Sequence, residues 1–151
     1  RAITLDGAER AAALEEAASA YLKAYRSGDT PWALLNYVQL EELRSRTTHT
    51  PSRVSEVAED LDLLLASVGN RSYWDAVGVP DGQLTRAIID DSIDASQAQL
   101  VERYADAFDN RSTWSQRSST LDHLLDLAEL HPDEQQAKAI RALHKKLEAL
   151  T

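Results

Sequence analysis

The sequence predicts an all-α fold of about seven antiparallel helices, arranged as helical-hairpin repeats with a terminal capping helix. Trp32, Trp74 and Trp114 lie 42 and then 40 residues apart, and each follows a loop-like stretch between two helix-like stretches. A period of about 40 residues is typical of helical-hairpin repeats. Gly and Pro number only five and four, and no β-branched residues alternate with polar ones, so we expect no strands.

We expect one domain, 1–151, that contains three degenerate hairpin units and a final helix. The units are predicted at about 6–46, 51–93 and 95–130, and the capping helix at 132–150. The motif Asn-Arg-Ser-x-Trp occurs at corresponding places in the second and third units, 70–74 and 110–114. The chain has no Met, not even at position 1, so we expect it to be a fragment of a longer protein.

Helix-boundary residues place the first three helices. Asp6 or Thr4 is predicted to cap a helix that ends near Ser27, before Gly28. Thr-Pro pairs at 30–31 and 50–51 open the second helix, 31–46, and the third, which ends near 68 at Gly69. The second helix is apolar on several sides, which predicts that it is buried between its neighbours.

The remaining helices follow from turn and capping patterns. The run Gly-Val-Pro-Asp-Gly at 78–82 predicts a turn, with a fourth helix over 81–93. Asp94 with Gln97 predicts a capping box for a fifth helix, 95–109. A sixth helix is predicted at 114–130, and Pro132 separates it from the seventh. The seventh has one apolar side, built from Ile140, Leu143, Leu147 and Leu150, as a terminal helix needs.

Composition excludes several classes of function. The net charge of −9 disfavours binding to nucleic-acid phosphates. The chain has no Cys, which rules out disulfides and thiolate chemistry. No apolar run approaches the roughly 18–20 residues of a membrane span, and no signal peptide is visible. We therefore expect a cytoplasmic protein that contacts neither nucleic acid nor membrane.

No group of residues forms a recognised catalytic or metal-binding pattern. His123 and Asp126 are three residues apart on one helix face, as two metal ligands would be, but no second pair has a useful spacing. The sequence has no Gly-x-Ser-x-Gly elbow and no glycine-rich phosphate loop. We therefore expect no enzymatic activity, no metal site and no cofactor.

Aromatic residues recur in register along the chain. Tyr21-x-x-Ala24-Tyr25 in the first helix matches Tyr104-x-x-Ala107-Phe108 in the fifth. This arrangement, with paired helices and a Pro-marked turn, resembles tetratricopeptide-type repeats. The resemblance implies a right-handed stack whose curved surface binds a peptide or helix of a partner. The polar residues that it places on the concave face are Lys23, Arg26, Asp62, Arg103 and Asp106.

The predicted function is a non-enzymatic protein–protein interaction scaffold, an adaptor or regulatory module of a larger signalling or effector protein. Its partner would be another protein or peptide, or a domain of the same parent chain. The alternative is a regulatory or sensor bundle that binds a small ligand or an attached effector domain. The three tryptophans are predicted to pack between hairpins, because they recur at the period of the units.

Overall fold

A computed structural model describes residues 6–28, 33–67, 73–109 and 112–151, and these residues form an all-α structure with no strand among them. A turn of 3₁₀ helix, Val54–Val57, leads into the third helix. The helices of the described residues are α1 (Gly7–Arg26), α2 (Ala33–Thr48), α3 (Ala58–Ser67), α4 (Tyr73–Asp90), α5 (Gln97–Asp109), α6 (Trp114–Leu130) and α7 (Glu134–Glu148). The predicted all-α class is confirmed.

Several predicted features fall outside the described residues. They are Thr4, the Thr30-Pro31 helix start, Trp32, Val68, Gly69 and the loop residues 70–72 and 110–111. The backbone of Trp74 belongs to α4, but its side chain is also outside the description. The predictions for these positions therefore stay predictions.

The helices pack mainly in three sequential pairs, α1 with α2, α4 with α5, and α6 with α7. Contacts of α2 with α4 and of α5 with α7 join the pairs around one core. The predicted repeat units, which place α5 and α6 in one hairpin, stay a prediction. Two hydrogen bonds join α5 to other helices: the hydroxyl of Tyr104 donates to Asp81 of α4, and the amide of Gln97 donates to the carbonyl of Ala139 in α7.

Helix α4 runs through the predicted turn at 78–82, so that prediction and the predicted start at 81 are wrong. Pro80 lies inside the helix, where a proline costs about 3 kcal/mol because it removes one backbone hydrogen bond. Burial offsets this cost: Val77, Leu84 and Ile88 are at most 3% exposed and repeat at helical spacing along one face.

Side-chain caps define several helix starts. Asp6 and Glu9 form a capping box at α1, which confirms the prediction for Asp6. The predicted box of Asp94 with Gln97 is wrong, because Gln97 is buried and its amide donates to Ala139 in α7 at 2.5 Å. The sequence also contains an unpredicted capping box at α6, formed by Thr113 and Gln116.

The surface of α7 follows the predicted amphipathic pattern. Ile140, Leu143 and Leu147 are fully buried, whereas the polar residues of the other side are exposed, namely Gln135, Lys138, Arg141, Lys145 and Glu148. Leu150 is 55% exposed, so its predicted place on the apolar side is wrong. Helix α7 ends at Glu148, which leaves Leu150 beyond the last helical turn.

A buried ion-pair network fixes the connection from α2 to α3. Glu41 is fully buried and accepts hydrogen bonds from the guanidinium groups of Arg44, at 2.6 Å, and Arg53, at 2.7 Å. Burial alone raises the pKa of Glu41, but the hydrogen bonds from Arg44 and Arg53 outweigh it and lower that pKa to about 2. Arg44 also donates to Thr50 at 2.9 Å, and Arg53 pairs with Glu15 of α1. The buried charges of this network therefore have their partners within the protein itself.

Candidate functional site

The side of α6 that faces α1 borders two neighbouring cavities of about 250 and 260 Å³. Both are lined by Tyr21 of α1 and His123 of α6, so the two residues stand where the cavities meet. The remaining lining residues of the first, here called the polar cavity, are Asn36, Val77, Asp81, Ser119 and Thr120. Those of the second, the aliphatic cavity, are Ala13, Ala17, Leu40, Asp126, Leu127, Glu129 and Leu130.

Helical spacing explains why these residues share a site. Ala13, Ala17 and Tyr21 are four residues apart on α1, so they form a row along one face. Their size rises from methyl groups to a phenol ring, which leaves open space beside the two alanines. On α6, Ser119 and His123 are separated by the same interval and contribute the opposite wall.

A series of hydrogen bonds connects His123 and Asp81, two residues that line the polar cavity. The Nε2 atom of His123 pairs with Oε1 of Gln39 at 2.8 Å, and Nε2 of Gln39 donates to the hydroxyl of Thr85 at 2.9 Å. The hydroxyl of Thr85 donates in turn to the backbone carbonyl of Asp81 at 2.7 Å. Tyr104 of α5 donates to the carboxyl group of Asp81. These hydrogen bonds therefore link α2, α4, α5 and α6 beside the polar cavity.

The hydrogen-bond roles assign the protonation of His123. Burial lowers the pKa of His123 to about 4, so the imidazole is neutral at pH 7. Because Oε1 of Gln39 can only accept, Nε2 of His123 carries the proton and Nδ1 remains an acceptor. His123 therefore presents a neutral ring to both cavities.

Asp81 is the buried carboxyl group of the polar cavity. Burial raises its pKa to about 6, although the hydrogen bond from Tyr104 opposes this change. Tyr21, across the cavity, has a pKa raised first by burial and then by the negative charge of Asp126. Perturbed pKa values that coincide with a cavity are typical of binding and catalytic sites.

Two further half-buried polar side chains of the polar cavity have no hydrogen bond to any other described residue. They are the hydroxyl of Tyr21 and the amide of Asn36. Buried or half-buried polar groups are normally satisfied by protein, water or a bound molecule. The polar cavity thus offers convergent hydrogen-bonding groups that the described protein does not use.

The described residues contain no group of three His, Asp or Glu side chains placed to hold a metal ion. His123 and Asp126, which share a helix face, both line the aliphatic cavity, but Nε2 of His123 bonds to Gln39. None of the described helices combines the length and hydropathy needed to cross a membrane.

The residues predicted to bind a partner are all exposed and lie on three helices. Lys23 and Arg26 share the last turn of α1, Arg103 and Asp106 share a turn of α5, and Asp62 lies on α3. Asp62 forms an ion pair with Arg86 of α4 at 3.1 Å. Among the described residues, no hydrogen bond or ion pair joins the three groups to one another. The choice of these five residues as a binding face stays a prediction.

Trp114 is 73% exposed, so the prediction that it packs between hairpins is wrong. Trp114 occupies the first turn of α6, whose buried residues are Thr120, Leu121, Leu124, Leu127 and Ala128. Leu125, 42% exposed, lies eleven residues further along, and eleven residues make close to three turns. Trp114 and Leu125 therefore project from the same side of α6, and we call this pair the apolar strip.

Sequence reasoning missed the hydrogen-bond chain and the polar cavity. Asp81 lies in a run typical of a turn, which hid its place on a buried helix face. Gln39 carried a usable signal, because it stands between Val38 and Leu40 in a helix that is apolar on several sides, and in the structure both Gln39 and Thr85 are only 1% exposed. A buried polar residue needs a partner, and here the partners are on other helices.

Comparisons of the chain with protein-family models, with curated proteins and with solved structures find no match.

Proposed function

We propose that this chain is a non-enzymatic helical module that recognises another protein, with the apolar strip of α6 as part of the contact. The observation that carries this proposal is the 73% exposure of Trp114. An exposed indole leaves a large apolar area in water, and tryptophan is among the residues that contribute most to protein–protein binding. A partner that covered the strip would remove this area from solvent.

The surroundings of the strip support a protein partner. Leu125 adds a second exposed apolar side chain about three turns further along α6, and the exposed Asp122 and Asp126 lie on the same helix. An apolar centre beside polar and charged residues is the usual composition of a binding patch. The net charge of −9 favours a partner with a basic rim. Such a module suits an adaptor or regulatory part of a larger cytoplasmic signalling or effector protein.

We also propose, as a more specific version, that the helices form a tetratricopeptide-type repeat. It would place Lys23, Arg26, Asp62, Arg103 and Asp106 on the concave face of a stack. The double substitution Arg26→Glu with Arg103→Glu tests that face, because it reverses two exposed charges on different helices. Unchanged affinity for an identified partner would exclude this face and leave the apolar strip as the contact.

The test of the proposed function is affinity capture with matched variants. The tagged chain is used to recover proteins from cells that make it, and the capture is repeated with Trp114→Ala and with Leu63→Ala. Leu63 is 66% exposed on α3 and controls for the loss of any exposed apolar side chain. We expect one protein to be recovered by the wild type and by Leu63→Ala but lost with Trp114→Ala. Equal recovery by all three would contradict the role of the strip.

A second candidate function, the binding of a small ligand, is favoured by the two cavities beside α6. A cavity with a few convergent polar groups and perturbed pKa values is the usual form of a small-molecule site. A ligand that binds only the folded chain raises its melting temperature, by an amount set by the ligand concentration relative to Kd. A shift that appears with the wild type and disappears with His123→Leu would support this candidate.

A further inference from the structure

The two cavities differ in the chemistry of their walls. The polar cavity is lined by hydroxyl, amide, imidazole and carboxyl groups from α1, α2, α4 and α6. The aliphatic cavity is lined by the methyl and isobutyl groups of Ala13, Ala17, Leu40, Leu127 and Leu130, and also by Asp126 and Glu129. Because both include Tyr21 and His123, one molecule can occupy them together. Such a molecule has a polar head and a short hydrocarbon tail.

The charges along the walls decide the sign of the head group. Three acids line the two cavities, Asp81 in the polar cavity and Asp126 and Glu129 in the aliphatic cavity, and the described lining residues include neither Lys nor Arg. A carboxylate or phosphate head would lose its hydration without meeting a cation, which is a large cost. An ammonium head would meet negative charge in a region of low dielectric, where the attraction is strong.

The neutral groups of the polar cavity add hydrogen-bond acceptors to the carboxylate of Asp81. Nδ1 of His123, the hydroxyl of Tyr21 and the carbonyl of Asn36 can each accept a hydrogen bond. An ammonium group has three donors and no acceptor, so it suits a set of acceptors around one carboxylate. Asp81 supplies that carboxylate, since its raised pKa of about 6 still leaves it largely ionised at pH 7.5.

We propose that these cavities bind a small primary amine, with the ammonium group beside Asp81 and the hydrocarbon tail in the aliphatic cavity. The proposal rests on the ligand-binding candidate above and names the chemical class of its ligand. Ionised Asp81 is poorly compensated in the free protein, because burial disfavours its charge. A bound ammonium group offsets that cost, and this gain sets amines apart from neutral molecules of the same shape.

The test compares three ligands that differ only in their head group. Isothermal titration of the whole chain is carried out with hexylamine, hexanol and hexanoate at pH 7.5. Salt at about 0.15 M screens the general attraction of amines to an acidic surface. We expect saturable binding of one hexylamine per chain, about tenfold tighter than that of hexanol, because a hydrogen bond to a charged group is stronger than a neutral one; tenfold corresponds to about 1.4 kcal/mol. We expect no binding of hexanoate.

Two variants locate the site. Asp81→Asn keeps the shape of the side chain and removes its charge, so hexylamine should bind no more tightly than hexanol. Asp122→Asn makes the same change in net charge at an exposed position of α6 and should leave both affinities within about twofold of wild type. Ala17→Leu fills part of the aliphatic cavity and should weaken hexylamine and hexanol alike.

The possible outcomes distinguish a failure of the amine assignment from a failure of the ligand-binding candidate. If hexanol binds as tightly as hexylamine, or if Asp122→Asn weakens hexylamine as much as Asp81→Asn does, the amine assignment is overturned. In the first case the cavities remain a ligand site for neutral molecules. If none of the three ligands gives saturable heat, both the amine assignment and the ligand-binding candidate are overturned.

Discussion

At the scale of single residues, two aromatic side chains of the same chain have opposite environments. Tyr104 is fully buried and bonded to Asp81, whereas Trp114 is 73% exposed. The spacing of the tryptophans along the chain predicted that Trp114 packs between hairpins. That spacing does not show which side of a helix meets a neighbour, and that depends on the pairing of distant helices.

Trp114→Ala should change the free energy of unfolding by no more than about 0.5 kcal/mol, because an exposed side chain loses few contacts. Leu124→Ala, on the buried face of the same helix, should cost about 2–5 kcal/mol through lost burial and a cavity. Urea denaturation of the two variants checks both values. A large loss for Trp114→Ala would contradict its exposed position.

Glu41→Gln should destabilise the chain by about 3 kcal/mol, because it leaves Arg44 and Arg53 without their buried carboxylate partner. The folded-state pKa of Glu41, about 2, is below its ordinary value of 4.5. Its contribution is therefore present above pH 4.5 and is lost as pH falls toward 2. Urea denaturation across this pH range should show a flatter profile for Glu41→Gln than for the exposed control Glu59→Gln. Parallel profiles would remove Glu41 as the cause of acid sensitivity.

The contribution of Asp81 to stability should depend on pH in the opposite direction to that of Glu41, and Asp81→Asn tests this. The folded-state pKa of Asp81, about 6, lies above its ordinary value of 3.8, so its contribution is favourable below pH 3.8 and is lost as pH rises through 6. The melting temperature of Asp81→Asn relative to wild type should therefore be higher at pH 8 than at pH 4. A difference independent of pH would show that Asp81 is not buried as described.

At the scale of elements, local sequence predicted the described helices and some of their ends, but it misplaced the start of α4. The sixth helix was predicted at 114–130 and is observed at Trp114–Leu130. The turn predicted at 78–82 is wrong for a physical reason. The turn preferences of Gly and Pro describe a segment without tertiary contacts. The burial of Val77, Leu84 and Ile88 on one face outweighs those preferences. Turn residues therefore misplaced the start of α4.

Thr113→Ala should cost about 1 kcal/mol of stability, because it removes the side-chain oxygen that accepts the amide of Gln116. Ser115→Ala is the matched control, since Ser115 is exposed in the same turn and makes no described capping bond. The two variants are compared by thermal unfolding. A cost for Ser115→Ala equal to that for Thr113→Ala would mean that the capping box contributes nothing specific.

At the scale of the whole molecule, the packing of helices creates features that no local pattern contains. Tyr21, Asp81 and His123 are far apart in sequence, yet they line one cavity because α1, α4 and α6 meet around α2. The sequence predicted the all-α class and the buried side of α7. It could not predict the polar cavity, because the spacing along a helix does not specify which other helix faces it.

The central claim, that the apolar strip of α6 meets a protein partner, is tested most directly by site-specific photocrosslinking. A benzophenone amino acid replaces Trp114 in one variant and the equally exposed Leu63 in another, and both are irradiated in cells that make the chain. The proposal predicts that one protein becomes attached at position 114 and not at position 63. The same adducts at both positions, or none at 114, would contradict it.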